Sequence, residues 1–367
     1  MSTVNCQLST VNMNLYPFLF RPNLHTVVWG GHQLQPYKGL PPTDEPVGES
    51  WEVSAVPSST SIISNGPLAG RSLPSAIAES PEAILGHAVN KKYKGQLPLL
   101  VKFIDAQRDL SIQVHPNDEM AQREHGKMGK SEMWYVIKAD PGAHLYAGFK
   151  QAITPHEYKK RIEDGTITDV LADHQVKAGD VFYLPAGRVH AICGGILLAE
   201  VQQSSDVTYR IYDYNRPGLD GKPRELHTEL AAQALDYEVE RNYRTDYPKF
   251  DNRATLIVDS PYFSVRVLEF NDKFHRNLLK YDSFIITMCI EGDCEIRLRP
   301  TVHSPLSIVN CPLSIILKEG HSTLIPAAIA DYDLIPLNGK SRILDAFIDN
   351  RPATFARQIT SLLHIER

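Results

Sequence analysis

The sequence lacks the features that mark membrane spans, nucleic-acid surfaces and cysteine-based sites. None of its apolar runs approaches the roughly 20 residues that a membrane-spanning helix needs. The formal net charge is −5, whereas a nucleic-acid-binding surface is usually basic. The five cysteines include no CxxC pair, so neither a thiolate zinc site nor a disulfide framework is indicated. We therefore expect no membrane or nucleic-acid partner, and we predict a cytoplasmic, reducing location.

The remaining composition is that of an ordinary globular protein rich in β-strands. The chain has 367 residues, 43% of them hydrophobic, which is enough for two domains with cores of their own. Short runs of β-branched and aromatic residues lie between turn signals, a pattern typical of an all-β sandwich or barrel. Four such runs are 99–104, 133–137, 181–184 and 196–201.

Helices are expected in only three places. The candidates are Leu73–His87, Thr154–Ala172 and Glu225–Tyr237. The second has a strong start signal, with Thr154 as N-cap and Pro155 as the first helical residue. We therefore predict a mostly β fold with a few helical excursions.

A weak internal repeat suggests a second barrel. Residues Gly179–His190 align without gaps with Gly320–Asp331, and each copy has a Gly turn, a strand and a Pro-Ala corner. Asp331 stands where the first copy has His190, and no Gln-x-His pair precedes it. The predicted domains are a disordered leader over 1–13, a metal-binding domain over 14–245 and a second, metal-free domain over 246–367.

Four residues on three short apolar strands form a candidate metal site. They are Gln113, His115, Glu132 and His190. Gln113 and His115 are two residues apart, so on a strand they point to the same face. An amide oxygen, two imidazoles and one carboxylate suit Zn²⁺ or a neighbouring divalent ion, with a position left open for water or substrate. Because a structural zinc site would use several thiolates, the set indicates a catalytic site.

Polar residues occupy every second position after the last candidate ligand: Glu200, Gln202, Ser204, Asp206, Thr208 and Arg210. On one extended strand they would share a face. Such a face is often solvent-exposed in an antiparallel sheet. However, the preceding run 195–199 is wholly apolar, so we favour a face that points into the barrel, beside the metal.

Two lysines extend this set. Lys130 lies two residues before Glu132, which predicts that both side chains lie on one side of a strand. Lys102 lies in an apolar strand, where a charge is costly without a partner, although the side chain could also extend to the surface. With Arg210 and a metal ion these lysines predict a strongly positive cavity. Such a cavity would favour an anionic substrate such as a sugar phosphate.

These motifs resemble those of the type I mannose-6-phosphate isomerases of the cupin superfamily. The run from Gly179 to Gly194 fits the second cupin motif, with Gly194 where Asn is usual. The first motif is altered to Gln113-x-His115 with a long gap to Glu132, and that alteration is typical of this family. Further matching segments, similar to the shorter bacterial members, are 28–31, 48–52, 100–103, 130–134, 205–210, 212–213 and 220–227. One departure is Ile192, which stands where eukaryotic members have Tyr.

The resemblance implies an all-β bicupin fold, that is, two jelly-roll barrels. It also implies one zinc ion bound by Gln113, His115, Glu132 and His190. The residues that it places around the substrate are Lys102, Ser111, Lys130, Glu200, Asp206 and Arg210.

The implied reaction interconverts mannose 6-phosphate and fructose 6-phosphate through a cis-enediol. We expect Asp206 and Lys130 to perform the acid–base steps, with the assignment of the carbon-2 base left open between them. Arg210 would hold the enediolate or the phosphate, and Glu200 would orient Arg210. Lys102 and Ser111 would contact the substrate.

Two other functions fit parts of the pattern. One is another bicupin metalloenzyme, an iron or manganese dioxygenase, although such sites usually use three His and one Glu. The other is a non-catalytic cupin that binds a sugar phosphate without converting it. The sequence leaves open whether the protein is a monomer or a homodimer.

Overall fold

The structure is a computed structural model, and it describes residues 15–299, 313–329 and 331–351. The leader predicted over 1–13 lies outside these ranges, as do Cys6 and Cys311. Among the described residues no helix is both long and apolar enough to cross a membrane.

Strands dominate the fold. Those before residue 213 are β1 (Phe18–Leu19), β2 (Leu24–Gly31), β3 (Val47–Val53), β4 (Leu99–Ala106), β5 (Ile112–Val114), β6 (Glu132–Ala139), β7 (His144–Phe149), β8 (Leu171–Gln175), β9 (Val181–Leu184), β10 (His190–Ile192), β11 (Ile196–Gln203) and β12 (Tyr209–Tyr212). The later strands are β13 (Arg253–Asp259), β14 (Ser264–Phe270), β15 (Phe274–Asn277), β16 (Ile285–Glu291), β17 (Cys294–Leu298), β18 (Ser314–Leu317), β19 (Ser322–Ile325), β20 (Asp331–Pro336) and β21 (Ser341–Phe347).

Helices are short and lie between the strands. They are α1 (Leu34–Tyr37), α2 (Leu73–Glu79), α3 (Pro81–Leu85), α4 (His87–Tyr93), α5 (Asp118–His125), α6 (Pro155–Glu163) and α7 (Thr228–Ala234), with 3₁₀ turns at Ile167–Val170 and Leu279–Tyr281.

The first barrel is built from two antiparallel sheets. Six strands pair in the order β2-β3-β4-β11-β6-β9, and five pair in the order β12-β5-β10-β7-β8. Buried side chains from both sheets form one cluster, for example Ile104 and Leu198 from the larger sheet with Leu145 and Ile192 from the smaller. The candidate site lies between these two sheets.

The second barrel repeats this plan with other strands. Its sheets have the orders β1-β19-β16-β21-β14-β13 and β15-β20-β17-β18, and a second apolar cluster fills the space between them. Gly179 and Gly320 both have positive φ, and β10 and β20 begin at the aligned residues His190 and Asp331. The internal repeat is therefore structural, and the predicted all-β, two-barrel fold is confirmed.

The two larger sheets pack against each other through the main core. Val101 and Phe103 of β4 lie in the same apolar cluster as Ile286 and Leu344 of the second barrel. Because alternate side chains of β4 point to opposite faces, Lys102 and Ile104 face the first barrel's interior instead. Burial on both faces explains why β4 has eight buried residues in succession.

The first strand that the structure describes, β1, belongs to the second barrel's larger sheet. Phe18 of β1 pairs with Leu324 of β19, and the Thr323 hydroxyl donates to the Phe18 carbonyl at 2.9 Å. A buried ion pair between Lys38 and Glu52 lies nearby, with 2.6 Å between Nζ and Oε1. The Lys38 ammonium also donates to the Gly320 carbonyl, so side chains connect the barrels as well.

Three predictions of local structure need correction. The helix predicted over 73–87 consists of α2, α3 and the start of α4, because Pro81 starts a new helix and Gly86 has φ of 93°. The other two predicted helices are shorter, as α6 and α7, although the Thr154 cap is confirmed by its bond from the Glu157 amide. The single strand predicted from Glu200 to Arg210 is wrong, since β11 ends at Gln203 and β12 begins at Tyr209.

Candidate metal centre

Strand pairing brings the candidate ligands together. His190 at the start of β10 lies directly opposite Gln113 on β5. Arg210 on β12 lies opposite Gln113 on its other side. Directly opposite residues in an antiparallel pair point to the same face. Glu132, at the start of β6, faces them from the other sheet, so the set converges between the two sheets.

His115, Glu132 and His190 form a compact triad. Their potential ligand atoms all lie within 4.8 Å of one another, and all three side chains are buried. The Glu132 carboxylate lies between the imidazoles, with 3.4 Å to His115 Nε2 and 3.2 Å to His190 Nε2. The Gln113 amide nitrogen is 3.3 Å from His190 Nε2, so this side chain borders the triad.

The hydrogen bonds behind the imidazoles orient them for a metal. His115 Nδ1 is 2.9 Å from the Val207 carbonyl, and His190 Nδ1 is 2.8 Å from the Arg188 carbonyl. Because a carbonyl only accepts, each Nδ1 carries the hydrogen and each Nε2 presents a lone pair to the centre. Both oxygens of Glu132 are buried, and within the described part of the chain neither makes a hydrogen bond, although the Lys130 ammonium lies 3.1 Å from Oε2. These converging acceptor atoms fit a divalent cation.

Burial sets the protonation of the triad. It lowers the pKa of His115 to about 3, with a further contribution from the Lys130 ammonium. Burial likewise lowers the pKa of His190. For Glu132, burial alone would raise the pKa, but Lys130 and the two imidazoles hold it well below its usual range. Neutral imidazoles with an ionised carboxylate are the protonation states that metal ligands require.

A cavity of about 210 Å³ adjoins the triad. Its walls include seven of the sequence-predicted residues: Lys102, Ser111, Gln113, Lys130, Glu200, Asp206 and Arg210. Lys130 links cavity and triad, because its Nζ lies 3.1 Å from both His115 Nε2 and Glu132 Oε2. The predicted polar face of 200–210 thus points largely inward, even though its strand is interrupted.

Lys102 is held between two carboxylates. Its Nζ is 3.4 Å from Glu200 Oε2 and 3.7 Å from Glu49 Oε2, and it lies 4.7 Å from the centre of the Trp51 ring. Burial would lower the pKa of Lys102, but Glu49 and Glu200 together raise it. Burial and the charge of Glu132 raise the pKa of Glu200. The prediction of a strongly positive cavity is wrong at this end, because both lysines there face carboxylates.

Asp206 has a different environment from the other predicted residues. It is exposed, and its carboxylate pairs with Lys127 at 2.6 Å on the edge of the cavity. Sequence reasoning assigned no role to Lys127 or to Glu49. The sequence does carry a signal for Glu49: it lies two residues before Trp51, so the two side chains share one face of β3. In the structure both of them line the cavity.

All three tryptophans of the chain line this cavity: Trp29, Trp51 and Trp134. The indole nitrogen of Trp134 donates to Glu200 Oε1 at 3.1 Å, and its ring contacts His190 edge-on. Aromatic walls with a few polar groups are typical of a small-molecule site.

Comparisons with known proteins agree with this geometry. Residues 18–135 match the family model described as phosphomannose isomerase type I, catalytic domain. The mannose-6-phosphate isomerase ManA of Bacillus subtilis is 35% identical over 325 residues, which cover 88% of this chain and 96% of the relative. The mannose-6-phosphate isomerase of Streptococcus mutans is 37% identical over 250 residues, covering 68% of this chain and 77% of the relative.

A solved structure extends the likeness to both barrels. The crystal structure of the mannose 6-phosphate isomerase from Bacillus subtilis superposes with a TM-score of 0.78 at 30% sequence identity. The match covers 90% of this chain and 99% of that one.

Proposed function

The chain belongs to the type I phosphomannose isomerases, and we propose that it interconverts mannose 6-phosphate and fructose 6-phosphate in the cavity beside its triad. The observation that carries this proposal is the convergence of His115, Glu132 and His190 next to a cavity lined by cations and carboxylates. A dioxygenase is disfavoured, because the fourth position beside the triad holds Gln113 rather than a third histidine.

We infer that the resident metal is one Zn²⁺ ion held by the triad and by the amide oxygen of Gln113, once the amide whose nitrogen now faces His190 is flipped. Two imidazole nitrogens with oxygen ligands suit Zn²⁺. A bound divalent cation would act as a Lewis acid toward the carbonyl oxygen at the reacting end of the sugar. The three cysteines that the structure describes are all free, which supports the cytoplasmic location expected from the sequence.

The reaction needs a group that removes the proton from carbon 2 and returns it to carbon 1. Lys130 and Asp206 stay the two candidates. Lys130 is buried beside the triad, whereas Asp206 lies at the cavity edge in an ion pair. Arg210 lies beside Gln113 and can stabilise negative charge on the enediol oxygens.

Glu200 has a place different from the predicted one. Its carboxylate contacts Lys102 and Trp134, so it orients these groups. The structure gives Glu200 no bond to Arg210; the Arg210 guanidinium instead donates to the Glu225 carbonyl at 2.9 Å. Lys102 and Ser111 both line the cavity and are proposed to contact the sugar hydroxyls.

Metal content and a coupled assay with mannose 6-phosphate test this proposal. Purified protein should contain about one zinc per chain, and a chelator should abolish turnover that added zinc restores. The variants His115→Ala and Glu132→Ala should lose the metal as measured by elemental analysis. Full zinc retention in both would contradict the ligand assignment.

Proton exchange separates the two candidate bases. If Asp206 is the base, Asp206→Asn should slow exchange of the carbon-2 proton with solvent by 100-fold or more while zinc stays bound, about the contribution typical of general base catalysis. The matched variant Lys127→Met removes the partner of Asp206 and should have a smaller effect. Unchanged exchange in Asp206→Asn assigns the step to Lys130.

A further inference from the structure

The lysines and the arginines of the cavity differ in how many carboxylates lie beside them. Lys102 lies between Glu49 and Glu200, and Lys130 contacts Glu132. At the other end of the cavity, three guanidiniums gather around one buried carboxylate, that of Asp213. Arg216 and Arg224 contact this carboxylate directly, and Arg210 lies close enough to interact with its charge and with that of Glu225. The positive excess therefore lies at this end, away from the lysines.

Asp213 fixes the Arg224 side chain. Its Oδ2 accepts from Arg224 Nε at 2.7 Å, and its Oδ1 accepts from Arg224 Nη2 at 2.6 Å. Arg216 donates to Oδ1 as well, at 2.9 and 3.1 Å. A guanidinium has five N–H donors, so this two-point contact leaves three of the donors of Arg224 available.

The local backbone explains how residues eleven positions apart meet. After β12, Tyr214 and Asn215 both adopt positive φ, which turns the chain sharply. The Gly218 amide then donates to the Lys222 carbonyl at 2.7 Å, closing the loop and returning the chain toward Asp213. Arg224 is thus delivered to the cavity wall by a tight loop.

Arg210 and Arg224 are both half-buried, but Arg210 is the one that lies next to the triad. Arg210 is opposite Gln113 in the sheet, and among the described residues its buried Nε has no hydrogen-bond partner. The Arg224 side chain is 26% exposed and lines the cavity. Burial lowers the pKa of Arg210, and the nearby charge of Arg224 lowers it further, so the two guanidiniums are close enough to interact.

We propose that Arg224, held by Asp213, binds the phosphate group of the substrate at the outer end of the cavity. This inference rests on the proposed function, in which the reacting carbons lie at the triad. Carbon 6 is at the opposite end of the sugar, so its phosphate extends outward from Arg210 to Arg224. Arg210, which lies beside the triad, would then interact with the reacting end of the sugar. Because Asp213 already orders the Arg224 side chain, binding a dianion costs less conformational entropy.

Steady-state kinetics test the inference. Arg224→Ala should raise KM for mannose 6-phosphate about 10- to 100-fold, the effect of losing a hydrogen bond to a charged group, with kcat within about threefold. The inhibition constant of inorganic phosphate should rise by a similar factor, and bound zinc should not change. Arg224→Lys keeps the charge without the planar fork and should show an intermediate KM. It also tests the inference if the alanine variant fails to fold.

Lys222→Ala is the matched control. Lys222 is an exposed cation two residues from Arg224 on the same loop and does not line the cavity. Its removal should leave KM and phosphate inhibition within twofold of the wild type. The inference is overturned if Arg224→Ala leaves KM unchanged, or if Lys222→Ala raises KM equally.

A binding measurement separates this inference from the proposed function. Because all three tryptophans line the cavity, inorganic phosphate should change the intrinsic fluorescence of the wild type. Arg224→Ala should shift this titration to higher phosphate concentration. If the wild type does not convert mannose 6-phosphate, the proposed function fails, yet this titration still supports or overturns phosphate binding by Arg224.

Discussion

Replacing Lys102 with methionine should lower the free energy of unfolding by roughly 3–5 kcal/mol at pH 8, the usual cost of removing one partner from a buried ion pair. The Lys102 side chain is only 9% exposed, and those of Glu200 and Glu49 are 4% and 19% exposed. At 3.4 and 3.7 Å, each attraction is worth about 5 kcal/mol at an effective dielectric constant of about 20, before desolvation is subtracted. Methionine fills similar space but leaves both carboxylates unpaired.

The loss of stability caused by Lys102→Met should increase with pH. Burial and Glu132 already raise the pKa of Glu200, and Lys102 opposes that shift. Without Lys102 the folded-state pKa rises further above the unfolded value. The folded variant then binds a proton that the unfolded chain has released, so its stability falls as pH rises. The difference from the wild type should therefore be smaller at pH 5 than at pH 8.

Urea unfolding followed by tryptophan fluorescence measures the effect, since every tryptophan lies in the barrel that contains Lys102. The double variant Lys102→Met/Glu200→Gln should recover about 1–3 kcal/mol of the loss, because one orphaned charge is gone. Lys91→Met, an exposed helical position, should change stability by less than about 0.5 kcal/mol. A loss below about 1 kcal/mol at pH 8, or no recovery in the double variant, would refute the reasoning.

Three further predictions concern other parts of the structure. Asp213→Asn should destabilise the protein more at pH 7 than at pH 3, as urea unfolding at both pH values would show. Burial would raise the pKa of Asp213, yet the arginines hold it below its usual range. The stabilisation is therefore complete above the ordinary aspartate pKa and declines as pH falls toward the lowered one. In the same assay, Gly320→Ala should lower the free energy of unfolding by about 1–3 kcal/mol more than Gly339→Ala. Both glycines have positive φ, but only a Cβ at position 320 would collide with the Tyr37 carbonyl. Chelation should lower the melting temperature of the wild type but not of Glu132→Ala, as calorimetry would show.

The candidate ligands could be predicted because local rules define them. Gln113 and His115 are two residues apart, which places them on the same side of a strand, and a Gly turn with a Pro corner delivers His190 to the start of β10. Such signals span only a few residues. Each copy of the internal repeat, beginning at Gly179 or Gly320, is also a short segment, and the match between them correctly indicated a second barrel.

The partners of these residues could not be predicted, because they depend on strand register. Lys102 lies between Trp51 on β3 and Glu200 on β11, and both pairings join distant parts of the chain. The apolar run around Lys102 indicated that its charge needed a partner but did not identify Glu49. The strand from Glu200 to Arg210 was wrong because alternation continues through the bend where the chain passes between sheets.

The predicted helix over 73–87 is wrong because its apolar spacing continues across two helix-breaking residues, Pro81 and Gly86. The apolar residues from Leu73 to Leu85 keep a helical spacing, yet Pro81 lacks an amide hydrogen and Gly86 takes a conformation that ends a helix. Three short helices therefore cover the surface where one was expected. The Thr154 cap was correct because capping depends on the neighbouring residues alone.

The pairing of β1 with β19 has a consequence for synthesis of the chain. Phe18 leaves the ribosome before its partner Thr323, which follows 305 residues later. At about 5–20 residues per second, that delay is roughly 15–60 s. During this time the first barrel can form, while the segment around Phe18 lacks β19 and keeps its hydrogen bonds to residues 62–65. We therefore expect nascent chains that stop before residue 322 to keep this segment accessible to a protease, and completed chains to protect it.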